Sequence, residues 1–334
     1  MSAAVDEILD RRRLRKRLTF WRVTALIAFA GVIVASLIAG GAGKSFASKS
    51  SDHIARISIA GFITEDQKLI DLIDKARKDK KVKGVIIKMD SPGGATVGGE
   101  AIYEAVRALA KAKPTVTSVG GLAASAGYMI AVGSDHIVAR RSSLVGSIGV
   151  LFQYPDASKL LETIGISVEE IKSSPLKAEP SPFHPAKEEA KDVLRDLIKD
   201  SFGWFRGLVK ERRNYSDAEV DLVATGRIFS GAQGLANKLI DEIGGEEVAR
   251  AWLSKEKGLP KDMKTLDWKP PTDSLGLYSA LSNIIGFGQQ TGIFGGSPEL
   301  AGLRKLTQER IFLDGLLSVW HVSGVKSIKE GIVR

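Results

Sequence analysis

The chain contains no cysteine, which excludes disulfides, thiol nucleophiles and Cys-ligated zinc or iron–sulfur centres and leaves the redox compartment open. Histidine is scarce: His53, His136, His184 and His321 are the four in 334 residues, so a base that works near neutral pH has few ordinary candidates. Aromatic residues make up 7%, and no basic run interleaves with them as a nucleic-acid surface requires. The net charge of +9 therefore needs another account. Residues 1–22 carry seven basic side chains (Arg11, Arg12, Arg13, Arg15, Lys16, Arg17, Arg22) against Asp6, Glu7 and Asp10, a local balance of +4. The rest of the excess is scattered. A hydrophobic content of 44% and a charged content of 26% suit a folded chain with a sizeable core, in one large domain or two ordinary ones.

The basic segment precedes twenty uncharged residues, Val23 to Ala42, whose helical length matches the roughly 30 Å hydrocarbon core of a bilayer. Cleaved signal peptides have a shorter apolar region of about 7–15 residues, so a retained anchor is expected. Phe20 and Trp21 stand where interfacial aromatics usually do, and the basic cluster predicts a cytoplasmic N-terminus with everything after the anchor outside. Residues 43–52 read as a polar tether, 53–258 as the main domain and 259–334 as an extension of weaker pattern.

Within 53–258, apolar runs alternate with helical periodicity. Strands are expected at Ile54–Ile59, Gly84–Met89, Thr115–Val119, His136–Ala139 and Val168–Ile171. Helices are expected at Asp66–Lys78, Val97–Ala112, Ala157–Ile164 and Ala186–Arg213, with a short helix between Thr225–Gly231 and Leu239–Gly245, and Glu246–Lys257 closes the core. Strand–helix–strand order at this spacing predicts an α/β fold with right-handed crossovers and a mainly parallel sheet. Pro175, Pro180, Pro182 and Pro185 make 172–185 a loop.

Two stretches follow the carboxyl ends of predicted strands, where open parallel sheets bind ligands. In V-G-G-L-A-A-S-A-G-Y-M-I (119–130), Ser125 stands at a strand-to-helix junction among residues too small to cover it. A helix N-terminus there favours a developing oxyanion, although a serine that merely caps a tightly packed helix has the same appearance. In D-S-P-G-G (90–94), two glycines after a proline let a backbone N–H turn outward; an ordinary turn uses the same residues. A serine hydroxyl needs a base. His184 in the proline-rich loop is a reserve candidate, and His136 beside Asp135 has a structural look. A lysine serves if apolar surroundings depress its pKa, and Lys177, between Leu176 and Ala178, suits that role as well as that of an ordinary surface lysine.

Six stretches taken together resemble the membrane-anchored signal peptide peptidase A serine proteases: D-S-P-G-G (90–94), A-A-S-A-G-Y (123–128), V-G-S-I-G-V (145–150), I-K-S-S-P-L-K (171–177), T-G-R-I-F-S-G-A-Q (225–233) and L-I-D-E-I-G-G (239–245). They stand in the family's order. The resemblance implies a crotonase/Clp-protease-like fold of stacked ββα units after one N-terminal transmembrane helix. It implies Ser125 as nucleophile, Lys177 as general base and Ser147 as the group that orients the amine, with Gly94 and Ala126 N–H groups as the oxyanion hole. Ala126 stands where the family usually has glycine, and still supplies an N–H. No metal or organic cofactor is implied. Further implications are hydrophobic peptides such as cleaved signal peptides as substrates, a homo-oligomer (an octamer) whose neighbouring chains share sites, and residence in the bacterial cytoplasmic membrane with the catalytic domain outside. Two rival readings remain: a catalytically inactive membrane-anchored peptide-binding scaffold, and a crotonase-type acyl-CoA enzyme.

Overall fold

A computed structural model describes residues 20–29, 51–270 and 317–319. Two units are separable, residues 1–53 and 54–334. In the first, residues 20–29 are helical with Phe20, Trp21, Leu26, Ile27 and Phe29 all exposed. Among the described residues no helix is long and apolar enough to cross a membrane. The remainder of the expected anchor, 30–42, lies outside them.

The second unit is built on a nine-stranded sheet whose main path runs β6-β5-β3-β2-β1-β8. In chain order its first elements are β1 (His53–Ile63), α1 (Gln67–Lys78), β2 (Val82–Ala95), α2 (Thr96–Ala112) and β3 (Thr115–Ala124). Then come α3 (Ala126–Ala131), β4 (His136–Ala139), β5 (Leu144–Gly146), α4 (Ser158–Thr163), α5 (Glu188–Arg213) and α6 (Asp217–Val223). The last are β6 (Ile228–Ser230), α7 (Gly231–Ala236), β7 (Glu242–Ile243), α8 (Glu246–Lys257), β8 (Thr265–Trp268) and β9 (Leu317–Val319). Pairing is parallel for β1–β8, β2–β3, β3–β4, β3–β5 and β4–β7, and antiparallel for β5–β6 and β2–β9.

Both faces of this sheet are covered, as a parallel sheet demands. Val85, Ile87 and Met89 of β2 face the larger core with α1, α2 and α3, while Ile86 between them joins Ile54, Val116, Val138 and α8's Ala249 and Leu253. The continuous apolar run thus serves two cores at a period of two. Each fully buried aliphatic side chain contributes about 1.5–3 kcal/mol. α1 starts where Asp66 Oδ1 accepts the Leu69 N–H at 3.1 Å, and Lys75, Arg77 and Lys78 in its last turn oppose the helix dipole.

Four expectations need correction. D-S-P-G-G is not a loop: β2 continues through it to Ala95, with a register shift between Met89 and Ser91 and a renewed pairing of Ser91 with Ala123. β1 likewise continues through Gly61, whose φ of +76° only glycine adopts cheaply. Residues 168–171 form no strand; they are exposed and irregular, since Val168 and Ile171 flank two glutamates and have no paired neighbour to form a ladder with. β8, beyond residue 258, adds a parallel strand beside β1.

Candidate active site

β3 ends at Ala124, and the next residue, Ser125, is held at φ 56°, ψ −120° before α3 begins. A non-glycine residue in that region costs about 1–3 kcal/mol, and only surrounding structure keeps it there. Here the Ser125 N–H donates to Gly146 O at 2.8 Å and its carbonyl accepts the Met129 N–H at 2.9 Å. All six residues of α3 are buried. Tyr128 is anchored by its Oη–H to Leu239 O at 2.8 Å, and burial pushes its phenol pKa far up, so it stays neutral. The Leu239–Gly245 stretch is therefore the socket of the serine helix. Asp241 in the same stretch accepts the Ile137 N–H at 2.7 Å and pairs with Arg213 at 2.7 Å.

Gly146, which takes the Ser125 N–H, ends β5 at φ +99° and is followed by Ser147 at φ 52°. Two consecutive positive φ values turn the chain sharply beside the serine. Ser147 is 6% exposed and donates its N–H to Arg227 O at 2.8 Å. β6 pairs antiparallel with β5, so Thr225–Gly231 acts as a brace for this turn. A capping box between Ser230 and Gln233 fixes the brace's exit into α7.

The Asp90–Gly94 stretch lies on the other side. Ser91 Oγ donates to Gly61 O at 2.7 Å and accepts the Gly93 N–H at 3.1 Å. It also packs under α3: a Cβ on Gly127 would sit 3.0 Å from Ser91 O. Gly94 is the tightest position of this stretch, because a Cβ there would lie 2.0 Å from the Ile63 carbonyl oxygen. No other residue fits without moving β1. Ala126 is buried, with its Cβ against Gly99. The fold thus gathers Ser125, Ser147, Ala126 and the Gly93–Gly94 strand around one sheet end.

Lys177 is arranged differently. It is exposed on the segment between α4 and α5, its backbone N–H bonded to Ser174 O at 3.1 Å. The segment is pinned by a polar knot: Lys172 Nζ lies 2.5 Å from Glu170 and 2.7 Å from Glu179. Ser181 Oγ donates to Glu170 at 3.0 Å. Hydrogen bonds from Lys172 hold both carboxyls below their ordinary range, and the carboxylates hold the amine above its own. His184 belongs to this knot, with Nε2 3.3 Å from Glu170, which leaves its ring engaged as a structural partner. Glu170, Glu179 and His184 converge closely enough for a metal ion, but Lys172 already supplies the positive charge between the two carboxylates. His136 stacks on Trp252 at 4.7 Å, near Asp241 and Glu242, in keeping with a structural role.

Sequence reasoning missed Ser91, whose hydroxyl ties β1 to the glycine strand. Its position inside D-S-P-G-G was the one signal, hidden by reading that stretch as a free turn.

Residues 107–260 match the model of peptidase family S49. A Synechocystis sp. protein named as a protease is 36% identical over 223 residues, covering 66% of this chain and 80% of that one. The chain belongs to peptidase family S49. An Enterococcus faecium relative named as signal peptide peptidase SppA is 32% identical over 283 residues, 78% of this chain and 76% of its own. The chloroplast serine protease SPPA of Arabidopsis thaliana is 32% identical over 232 residues, 68% of this chain but 34% of that longer protein. These relatives make the S49 chain a peptidase of the SppA family, and the mainly parallel α/β sheet is the scaffold on which that activity is built.

Proposed function

We propose that this S49 peptidase is a membrane-anchored serine endopeptidase in which Ser125 is the nucleophile and a neutral Lys177 its base. The observation that carries the reading is the conformation of Ser125. A buried serine held at positive φ between a strand and a helix, with a second positive-φ serine turn bonded to its N–H and a glycine strand opposite, is costly to keep for packing alone. In the proposed cycle Lys177 takes the Ser125 proton and the hydroxyl oxygen attacks the peptide carbonyl. N–H groups of Gly94 and Ala126 receive the oxyanion, and Ser147 orients the amine. The protonated lysine then gives its proton to the leaving amine. Water, deprotonated by the same lysine, releases the acyl group and regenerates the serine.

The exposure of Lys177 in the single chain supports a site completed by a neighbouring copy. The Lys177-bearing segment and α4 before it are also rich in exposed apolar side chains, among them Leu160, Ile164, Ile166, Ile171 and Leu176, as a surface covered in a homo-oligomer would be. An octameric ring is the proposed assembly. Substrates are hydrophobic peptides, cleaved signal peptides above all, met at the outer face of the cytoplasmic membrane to which residues 23–42 anchor the chain.

Ser125→Ala and Lys177→Ala are expected each to lower the cleavage rate of a signal-peptide substrate in detergent by about 10³-fold or more, with assembly size unchanged by light scattering. Wild-type turnover in either variant would refute the assignment. Ser125 should also label with a fluorophosphonate, which neither an inactive scaffold nor an acyl-CoA enzyme would do.

A further inference from the structure

Lys177 stands on a loop whose residues face water: 173–178 are all exposed. The two residues that flank this loop are not. The Lys172 side chain is 17% exposed and that of Glu179 5%, and Lys172 Nζ lies 2.7 Å from Glu179 Oε1, which closes the neck of the loop. Taking Lys177 as the base proposed above, we infer that Lys172 and Glu179 are positioning residues: their ion pair is a clamp that presents Lys177 to the serine site. His184 Nε2 lies 3.4 Å from the same Glu179 oxygen but is charged only when protonated, which leaves Lys172 as the standing cation of the clamp.

The backbone between the two flanking residues is tightly turned. The Lys177 N–H donates to Ser174 O at 3.1 Å and the Glu179 N–H to Leu176 O at 3.3 Å, so a turn stands on each side of the amine-bearing residue. Ala178, next to it, is held at φ 62°, a conformation that an L-residue keeps only where its surroundings impose it. Apolar packing does not impose it here, because every residue of the loop is exposed; closure of the neck does. The clamp is footed in the fold. Glu179 Oε2 accepts the Ser181 N–H at 3.2 Å, and buried Ser181 donates its Oγ–H to Glu170, the second partner of Lys172. Pro182 O then accepts the Ala157 N–H at 2.8 Å, at the start of α4. Open surface ion pairs contribute little to stability, and a carboxylate as enclosed as Glu179 carries a desolvation cost that its partner only offsets. Such a pair does more to select one conformation than to deepen it, and the conformation selected here is that of the loop bearing Lys177.

The experiment uses the full-length chain in detergent with an apolar peptide as substrate, and Lys177→Ala as its reference. Lys172→Met removes the cation and keeps most of the stem. It should lower kcat about ten- to a hundredfold, with KM changed by less than about twofold and assembly size unchanged, since a base displaced by an ångström slows chemistry more than binding. Lys172→Arg keeps the charge and can reach both carboxylates, and should return kcat to within about threefold of the unmodified chain. If Lys172→Met fails to assemble, Glu179→Gln, which leaves the Lys172–Glu170 contact in place, is read by the same split between kcat and KM. Unmodified kcat in these variants, a KM that rises in step with the loss of kcat, or no recovery in Lys172→Arg would overturn the clamp, while an inactive Lys177→Ala keeps the base. Full activity of Lys177→Ala would remove the base, and the clamp with it.

Discussion

Residues 53–146 and residues 151–187 make an instructive pair. The first stretch, β1 to β5, is threaded through two hydrophobic cores, and its sharpest conformations, at Ser125 and Gly146, are each fixed by backbone hydrogen bonds. The second has Ser181 as its one buried residue and is held by charges. A single chain therefore builds the nucleophile's surroundings from its own packing and leaves the proposed base on a segment that packing does not constrain. The contrast teaches that pre-organisation here is unevenly distributed. The serine side is held by its own packing, and the lysine side is the one that a neighbouring copy would complete in the proposed assembly.

The comparison breaks most severely at Gly94→Ala. Its new methyl carbon would fall on the Ile63 carbonyl oxygen, so β1 or β2 must move. We expect a stability loss of about 2–4 kcal/mol in denaturant unfolding and, in any folded fraction, a fall of about 10²-fold or more in peptide cleavage. A milder probe of the same side is Tyr128→Phe. It removes the bond to Leu239 O and leaves a buried carbonyl without that donor, at a cost of about 1–3 kcal/mol; an unchanged urea midpoint would show that α3 needs no such anchor.

On the other side, pH is the sharper tool. Hydrogen bonds from Lys172 depress the Glu170 and Glu179 carboxyls in the folded chain below their ordinary value of 4.5. A lowered folded pKa means that the stabilisation is complete above the unfolded value and is lost as pH falls through the folded one. Amide exchange over 164–187, corrected for intrinsic rates, should therefore accelerate below about pH 4.5 while the β2 and β3 amides stay protected. Simultaneous opening of both regions would erase the distinction between them. The smallest expected effect is that of Ile171→Glu. With Ile171 fully exposed, monomer stability should shift by less than about 0.5 kcal/mol. Sedimentation should nonetheless show weakened self-association if this surface meets a second copy.

How much of this was legible beforehand follows the same division. The α1 start at Asp66 and the span of β4 could be read directly because local periodicity and long-range packing agree there. The strand-to-helix junction at Ser125 was readable from its small neighbours, yet the bond that holds its N–H comes from Gly146, twenty-one residues later, and no local pattern encodes it. D-S-P-G-G misled because proline and paired glycines usually signal a turn. Its extended form is imposed by Ser91 reaching Gly61 and by Gly94 lying against Ile63, contacts that exist only once β1 and β2 are side by side. β8 escaped notice because four residues carry too little alternation to announce a strand. The Glu170–Lys172–Glu179 knot was invisible for a different reason: surface charges at such spacings are common, and only the fold of the loop makes these three converge.

The positive φ of Ser125 carries a consequence for how such a protein ages under mutation. Glycine would adopt that backbone conformation without strain, so a chain that exchanged Ser125 for glycine should fold more comfortably than its parent. Selection for sturdiness alone would thus favour loss of the hydroxyl. On the proposed role of Ser125 as nucleophile, its hydroxyl sits against the preference of the backbone, and durability and catalysis would pull in opposite directions at this position.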